Sequence, residues 1–338
     1  MTKKEHAMDY IMQLIDSGDP HCASKAAETL SVARSTIYNY ISQMITDNII
    51  EKDSNGKYRL VSHNQTFLYE NKNLREENIF NRDILPHLRS LPQNVISVWR
   101  YAFTEMMNNA IDHSQAENIT IYLKQNRLNT TINICDDGVG IFEKIREYML
   151  REHGEELTHE ECMGLLFAGK FTTAKEYHSG EGIFFTSHLM DLFYILSDKL
   201  FFTRNNFSEC YLNADGCTSG TVVCMVLSNK SHKTPKEVFD RYTNSDNGFS
   251  KTNIPIAHMF TDGYPVSRSE ARRLGEMLSR FSVAILDFSG VASIGQAFTH
   301  ELFVVWQKRH PDITLETKDV APDVENMIKR VLHDAEAQ

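Results

Sequence analysis

The segment 103–112, FTEMMNNAID, places a carboxylate and a carboxamide four residues apart, at Glu105 and Asn109. On a helix this spacing puts both side chains on the same face. Such a pair can orient a water molecule and hold a magnesium ion, which prefers oxygen ligands and keeps several of its waters. A surface pair on any helix would match this pattern, so its meaning depends on the rest of the chain.

Two glycine clusters lie downstream of this pair, DDGVG at 136–140 and GEG at 180–182. Glycine lets the backbone approach a ligand closely, because it carries no Cβ atom. Together with Glu105 and Asn109, the two clusters predict a site for ATP and its Mg²⁺ ion.

The composition is that of an ordinary globular protein, with 338 residues, of which 41% are hydrophobic and 24% charged. This length is a soft prior for two or three domains. No apolar run is long enough to cross a bilayer, and the start, MTKKEHAMDY, lacks the apolar core of a signal peptide. Six cysteines without CxxC spacing predict reduced thiols, so we expect a cytoplasmic protein without a membrane contact.

The sequence also disfavours a metal cluster held by histidine and cysteine, and binding of nucleic acid through overall charge. His153, His159 and Cys162 could form a metal cluster, but their acidic, irregular surroundings favour a solvated helix or loop. The formal net charge of −10 gives no overall attraction to nucleic acid. Any DNA contact must therefore come from a local patch.

Residues 1–62 predict three helices followed by a β-hairpin with an Asn-Gly turn at 55–56. This order resembles a winged helix-turn-helix, and the segment SKAAETLSVARSTIYNYISQMITDNII carries the resemblance. It implies that the helix from Ser35 is the recognition helix. The residues it would present to DNA are Arg34, Ser35, Thr36, Tyr38 and Asn39, with Lys57, Lys52 and Arg59 on the wing.

An alternative for this unit is a helical module for dimerisation or protein docking. Residues 1–62 hold seven basic and eight acidic side chains, which is a weak balance for a DNA-binding domain. Phosphate contacts supply most of the non-specific affinity for DNA, and they need positive charge. Both interpretations stay open at this stage.

The rest of the chain predicts a multidomain α/β protein. Residues 63–92 are polar and predict a helical linker, 93–230 predict an α+β sandwich, and 231–250 predict a second linker. From 251 to 338 strands and helices alternate, which predicts a small parallel or mixed sheet. Within it, Ser267 and Glu270 have the spacing of a capping box.

The central region resembles the GHKL (Bergerat) ATPases, which include histidine kinases, anti-sigma-factor kinases, MutL, type II topoisomerases and the heat-shock chaperone. The resemblance is carried by four boxes in order: Glu105 with Asn109, the DxGxG at 136–140, the GxG at 180–182, and Ser219-Gly220-Thr221. It implies that Asn109 is a Mg²⁺ ligand and that Glu105 is the general base if ATP is hydrolysed. It also implies that Asp136 accepts a hydrogen bond from the adenine amino group.

The segment FAGKFTTAKEYHS resembles the ATP lid of these proteins, and Phe184 stands where many histidine kinases have a third glycine. Backbone amides at a helix N-terminus suit a triphosphate. The predicted nucleotide-binding residues are Asn109, Asp112, Asp136, Gly138, Gly140, Lys170, Thr172, Thr173, Gly180, Gly182 and Thr221.

Residues 281–299, FSVAILDFSGVASIGQAFT, resemble the STAS domain of anti-sigma-factor antagonists, and more closely a STAS-like domain of unknown function. True antagonists carry a phosphorylated serine where this chain reads Ile294-Gly295-Gln296-Ala297, without a hydroxyl. This favours a docking surface for a protein partner over phosphotransfer within the chain. The residues expected to form it are Asp287, Phe288, Gly295, Gln296, Phe298 and Glu301.

Three functions follow. The first is a cytoplasmic ATP-binding regulator, with or without slow ATPase activity, whose nucleotide state alters domain contacts, a homodimer or DNA binding. The second is a serine/threonine kinase of the anti-sigma type acting on a separate STAS partner. The third is a nucleotide-gated adaptor that binds no DNA. A sensor histidine kinase is disfavoured, because no histidine upstream of Asn94 has the helical context of a phosphoacceptor.

Overall fold

The structure is a computed structural model that describes residues 2–169, 181–197, 200–203, 219–244, 248–260 and 264–336. The N-terminal unit has its own hydrophobic core, built around Ile11, Ile37, Ile41 and Met44. Its first helix begins at a capping box between Thr2 and Glu5. The elements are α1 (Lys3–Asp16), α2 (Cys22–Thr29), α3 (Arg34–Thr46), and the antiparallel strands β1 (Ile50–Lys52) and β2 (Tyr58–Leu60).

A six-stranded antiparallel sheet forms the centre of the described chain, in the order β3-β4-β5-β8-β6-β7. Its inner face is covered by helices, and strand residues alternate between that face and the outer one. The strands are β3 (His63–Glu70), β4 (Asn118–Gln125), β5 (Asn129–Asp136), β6 (Leu192–Ser197), β7 (Leu200–Thr203) and β8 (Thr221–Ser228).

The helices of the inner face include the long helix that carries the Glu105–Asn109 pair. They are α4 (Glu76–Ile79), a π-helical segment (Phe80–Ile84), α5 (Leu85–Leu88), α6 (Gln93–His113), α7 (Ile141–His153), α8 (His159–Ala168) and α9 (Gly182–Leu189).

The helical interpretation of 63–92 is wrong for its first part, because residues 63–70 form the edge strand β3. All eight of its residues pair with β4, from His63 opposite Gln125 to Glu70 opposite Asn118. Phe67 and Tyr69 alternate onto the inner face and pack against the core. The pattern is hard to recognise in the sequence because polar residues surround these two aromatic side chains.

The linker interpretation of 231–250 is also wrong in part, since it contains the helix α10 (Pro235–Tyr242) and the short strands β9 (Thr243–Asn244) and β10 (Gly248–Phe249). A capping box between Thr234 and Glu237 begins α10, with Pro235 in its first turn. Its Phe239 ring contacts Phe185 of α9 with ring centroids 4.6 Å apart, in an edge-to-face arrangement. This helix is thus packed on the central domain.

The C-terminal domain is a parallel sheet in the order β11-β12-β13 with helices against it. The predicted capping box of Ser267 and Glu270 is present. The elements are β11 (Lys251–Pro255), a 3₁₀ turn (Ile256–His258), α11 (Arg268–Leu278), β12 (Val283–Asp287), α12 (Gln296–His300), a π-helical segment (Glu301–Trp306), α13 (Gln307–Arg309), β13 (Thr314–Lys318) and α14 (Pro322–Glu336). A mixed α/β, multidomain architecture is confirmed.

The central and C-terminal domains share one continuous hydrophobic core, which runs through Leu166 of α8 and Leu274 of α11. The N-terminal unit instead contacts the central sheet through a small interface. Leu128 of the β4–β5 turn packs on its core, Asn129 donates a hydrogen bond to Asp16 at 3.2 Å, and Lys230 pairs with Asp9. Among the described residues, no helix is both long and apolar enough to cross a membrane.

Candidate functional site

The helix α6 turns one face to the core and the other to the site. Its buried face includes Trp99, Phe103 and Met107, which fixes the orientation of the helix. Glu105 and Asn109 therefore lie half-buried on the opposite side, as their spacing predicts. Asp112, one turn further on, is exposed.

The start of α9 lies directly against the carboxylate of Glu105. A Cβ atom placed on Gly182 would lie 2.2 Å from Glu105 Oε2, which is well inside van der Waals contact. Gly182 is the first residue of α9, so the N-terminus of that helix lies beside this carboxylate. The arrangement brings together a carboxylate and a helix N-terminus. A helix N-terminus favours the binding of anions such as phosphates.

Tyr101 lies one turn before Glu105 and belongs to the same cluster. Burial raises the pKa of Tyr101 well above its usual range, and the negative charges of Glu105 and Glu181 raise it further. Its ring packs edge-to-face on Phe239 of α10, with centroids 5.0 Å apart. The segment that leads into the C-terminal domain is thus in contact with the helix that carries Glu105.

Asp136 ends β5, and two backbone amides from different segments hold its carboxylate. Its Oδ1 accepts hydrogen bonds from the amides of Gly138 at 3.0 Å and Thr221 at 3.2 Å. Burial raises the pKa of Asp136 to about 6, although these two bonds act in the opposite direction. Both bonds end on Oδ1 and neither uses Oδ2, so the second oxygen can accept from a bound base.

Glycines bring three chain segments into contact around Asp136. A Cβ on Gly138 would lie 2.1 Å from the carbonyl oxygen of Ser114, just beyond the end of α6. Gly220 has a φ of +81°, and a Cβ there would lie 2.0 Å from the carbonyl oxygen of Asp136. Side chains at either position would push the segments apart, which explains the need for glycine.

The helix α6 therefore links the two halves of the site. Glu105 contacts the start of α9, and Ser114 contacts the loop that follows Asp136. Nine residues separate them, which corresponds to about 13 Å along a helix. Asn109 lies between the two contacts along α6.

Two supporting groups were missed by the sequence analysis. Asp137 accepts hydrogen bonds from the amides of Glu117 and Asn118, each at 2.9 Å, and so fixes the turn after β5. Ser197 is buried, accepts a bond from the Ile141 amide at 3.0 Å and donates one to the Gly220 carbonyl at 3.0 Å. A serine at the end of a strand gives no sequence signal that distinguishes it from any other.

The structure describes only some of the other glycine, threonine and lysine residues that were predicted to bind nucleotide. Gly140 is buried with a φ of 96° and precedes α7, and Thr221 accepts a bond from the Ile141 amide at 3.1 Å. Four predicted residues lie outside the described part of the chain: Lys170, Thr172, Thr173 and Gly180.

The donor set fits magnesium better than a metal held entirely by protein. Within the described residues, no three or more His, Cys, Asp or Glu side chains group together as ligands. Asn109 and Glu105 offer oxygen donors on one face, and phosphates and waters would complete the coordination. This is the usual arrangement for Mg²⁺, which retains waters and binds through one or two protein oxygens plus phosphate.

Comparison with known families defines the class of these two domains. Residues 95–192 match the histidine kinase-, DNA gyrase B- and HSP90-like ATPases. Residues 270–325 match a STAS-like domain of unknown function. The chain thus carries a GHKL-type ATPase domain followed by a STAS-like domain, as the sequence resemblance implied. No curated protein matches the chain.

The docking residues predicted in the STAS-like domain separate into two groups. Phe288, Phe298 and Glu301 are buried, so that interpretation is wrong for them, and Glu301 instead accepts a bond from Arg272 at 2.8 Å. Phe288 directly follows β12 and continues its inward alternation, and Phe298 lies on the buried face of α12. Asp287, Gly295 and Gln296 keep at least part of their surface accessible.

The residues predicted to contact DNA lie on the outside of the N-terminal unit. Arg34, Ser35, Tyr38 and Asn39 are exposed, Thr36 is half-buried, and the opposite face of α3 packs on the core. On the hairpin, Lys52 lies over the Tyr58 ring at 5.2 Å, and Arg59 pairs with Glu51 at 2.9 Å. Lys57 is exposed.

Proposed function

We propose that this protein is an ATP- and magnesium-dependent regulator, in which the nucleotide state of the GHKL-type domain controls contacts of its neighbouring domains. The observation that carries the proposal is the linkage through α6 of the Glu105–Gly182 contact and the Asp136–Gly138 loop. In the proposed site, Asp136 accepts a hydrogen bond from the adenine amino group, Asn109 would coordinate Mg²⁺, and the start of α9 binds phosphate. A bound Mg²⁺ ion would neutralise phosphate charge.

Glu105 is the general base in this proposal. A base must reach the proton that it abstracts, directly or through one water. Glu105 lies at the phosphate end of the site, beside the first amide groups of α9. Glu105→Gln should bind Mg-ATP and fail to hydrolyse it, whereas hydrolysis at the wild-type rate would remove this role.

Contacts of two helices, α8 and α10, support coupling to the STAS-like domain. Helix α8, which ends at Ala168 where the predicted lid begins, packs on β11 and α11. Arg273 of α11 pairs with Glu161 of α8, and Met259 lies against Gly164. In addition, α10 joins the domains and contacts Tyr101. Nucleotide binding can shift these contacts only if ATP favours one arrangement over another.

A test of coupling is the ATP affinity of Arg273→Ala, with Arg268→Ala as the matched control. Both arginines lie on α11, but Arg268 is exposed in its first turn, and among the described residues the ion pair with Glu161 is made by Arg273. We expect the Arg273 variant alone to change the ATP affinity, by a factor of two to five. Equal affinities in both variants and the wild type would contradict coupling through α8.

We further propose that the N-terminal unit is a winged helix-turn-helix that binds DNA. Three helices followed by an antiparallel hairpin, with the polar side of α3 exposed, support this proposal. The test measures affinity for DNA across a salt series, for the wild type and for Arg34→Ala. A DNA-binding domain must lose affinity steeply as salt rises, and loss of one phosphate contact lowers the slope by about one. An absence of salt-dependent binding would favour the adaptor role.

A kinase of the anti-sigma type remains the alternative function of the same nucleotide site. It would transfer the γ-phosphate to a hydroxyl of a separate STAS protein rather than to water. Radiolabelled ATP distinguishes the two, because only the kinase yields a labelled partner. Label that appears only as free phosphate would support the regulator with slow hydrolysis.

A further inference from the structure

The strand β3 forms one end of the central sheet. It pairs with β4 along its whole length of eight residues, and β4 is its only strand neighbour among the described residues. The inner face of β3 is covered, since Phe67 and Tyr69 pack on the core and the Tyr69 hydroxyl donates to Asp83 at 2.6 Å. The outer edge of β3 thus offers a row of backbone donors and acceptors for another strand.

The outer face beside this edge carries an unusual apolar pair. Leu68 is 70% exposed, the highest value among the large apolar side chains that the structure describes, and Tyr122 is 47% exposed. Leu68 lies opposite Thr120 and Thr66 lies opposite Tyr122, so Leu68 and Tyr122 are diagonal neighbours on the same face. Two exposed large apolar side chains side by side at a sheet edge indicate a contact surface.

The edge also lacks the features that usually prevent pairing. Proteins protect edge strands with proline, lysine, bulges or very short length. The sequence of β3, HNQTFLYE, has no proline and no lysine, and its register with β4 is uninterrupted. A strand of this kind is suited to pair with a further strand.

We propose that the occupant of this edge is β3 of a second copy of the same chain, paired antiparallel about a two-fold axis. A two-fold interface needs a surface that is complementary to itself, and an edge strand meets this condition. In antiparallel pairing, facing side chains share one face of the sheet, so a central pair must be a residue facing its own copy. With Leu68 at the centre, the two leucines contact each other and are covered with their Tyr122 neighbours.

The position of the N-terminal units favours a second copy over an unrelated peptide. The strand β2 ends at Leu60 and β3 begins at His63, so each unit is attached by a short segment at the start of β3. With Leu68 on the axis, the two His63 positions are ten residues apart along the paired strands, or about 34 Å. The attachment points of the two units are thus separated by about the distance between DNA half-sites one helical turn apart, 34 to 36 Å. Only this match of distances depends on the proposed DNA binding. The proposal of a dimer does not depend on it.

Light scattering combined with size-exclusion chromatography tests the pairing, without nucleotide or DNA. We expect a dimer for the wild type and at least a tenfold rise in the dimer dissociation constant for Leu68→Asp. The control is Leu150→Asp, since Leu150 of α7 is 50% exposed and lies outside the sheet. A monomeric wild type, or a Leu68→Asp variant that dimerises like the wild type, would overturn the proposal.

A cysteine variant provides a second measurement, which detects the pairing by a covalent cross-link and does not depend on weakening the dimer. Facing residues of an antiparallel pair have Cα atoms about 4.5 to 5.5 Å apart, within the range of a disulfide. Under mild oxidation, Leu68→Cys should form a cross-linked dimer, whereas the wild type and Leu150→Cys should not. Absence of the cross-link in Leu68→Cys would overturn this pairing. Because ATP affinity is measured separately, failure here leaves the nucleotide site untouched.

Discussion

Gly182 and Glu105 are in such close contact that any side chain at position 182 would displace the carboxylate. The Cβ of an alanine there would lie 2.2 Å from Glu105 Oε2 and 3.3 Å from Glu105 Cβ. The closest atom is the end of a flexible side chain, so the helix can accept the methyl group if the carboxylate moves. A substitution at position 182 can therefore move the Glu105 carboxylate without unfolding the protein.

Gly182→Ala should therefore keep its fold and lose catalysis. Alanine is at least as favourable as glycine inside a helix, so the free energy of unfolding should change by less than about 1 kcal/mol. Displacing a general base typically costs a factor of about 10² to 10⁴ in rate. Steady-state ATP hydrolysis and urea unfolding measure both quantities. Gly154→Ala is the control for activity alone, because no atom lies within 4 Å of its added methyl group but its φ of +68° strains alanine and lowers stability. Full activity in Gly182→Ala would contradict the assigned role of Glu105.

Asp136→Asn should lose ATP affinity because of where its nitrogen must lie. The backbone amides of Gly138 and Thr221 both donate to Oδ1, so the asparagine oxygen is expected to remain there. Its amide nitrogen then faces the adenine amino group, and two donors oppose each other. Loss of a hydrogen bond to a charged group costs about 1.5 to 3 kcal/mol, or roughly 10- to 100-fold in affinity. Calorimetric titration with Mg-ATP checks this, and an unchanged affinity would reject the adenine contact.

The raised pKa of Asp136 predicts a pH dependence with an unusual sign. Burial raises this pKa from 3.8 to about 6, so between these values the folded protein holds a proton that the unfolded chain has lost. The contribution of Asp136 to the free energy of unfolding is thus present at low pH and falls as the pH rises through 6. ATP affinity should rise over the same window, because the ionised carboxylate accepts from adenine.

The difference between the wild type and Asp136→Asn isolates this effect from other titrating groups. Unfolding by urea at several pH values between 4 and 7 should show the wild type losing stability relative to the variant as the pH rises. Parallel pH profiles for the two proteins would mean that Asp136 has an ordinary pKa.

Phe239→Ala should weaken both the packing of α10 and the catalytic site. The ring contacts Tyr101 and Phe185, and it is partly buried, so we expect a loss of about 1 to 3 kcal/mol in the free energy of unfolding. Because Tyr101 precedes Glu105 by one turn, the rate of ATP hydrolysis should fall as well. Lys236→Ala, on the exposed side of the same helix, is the matched control. A normal rate in the destabilised variant would limit α10 to a structural role.

Much of the architecture follows from local sequence signals. The three helices and the hairpin within residues 1–62 and the capping box at Ser267 and Glu270 are predicted by the sequence and present in the structure. These signals are local, because a helix face or a cap depends on residues a few positions apart. Helix α6 contacts Gly182 through Glu105, and Ser114 at its end contacts Gly138, so the described parts of the two glycine boxes lie along one helix.

Tertiary contacts explain what the sequence analysis missed. The strand β3 depends on pairing with β4, which lies about fifty residues later, and only Phe67 and Tyr69 mark its inner face. The helix α10 did have a readable start at Thr234, Pro235 and Glu237, but its polar composition suggested a linker. Phe298 and Glu301 looked accessible because burial of a helix face depends on its neighbours.

The most direct test of the central claim is calorimetric titration of Mg-ATP into the wild type, Asn109→Ala and Asn108→Ala. The two asparagines are adjacent on α6 and are both half-buried, but only Asn109 has the four-residue spacing from Glu105 that defines the first box of the GHKL ATPases. We predict that Asn109→Ala abolishes the magnesium-dependent part of ATP binding, and that Asn108→Ala binds like the wild type. Wild-type affinity in Asn109→Ala, or equal losses in both variants, would contradict the assignment of this site.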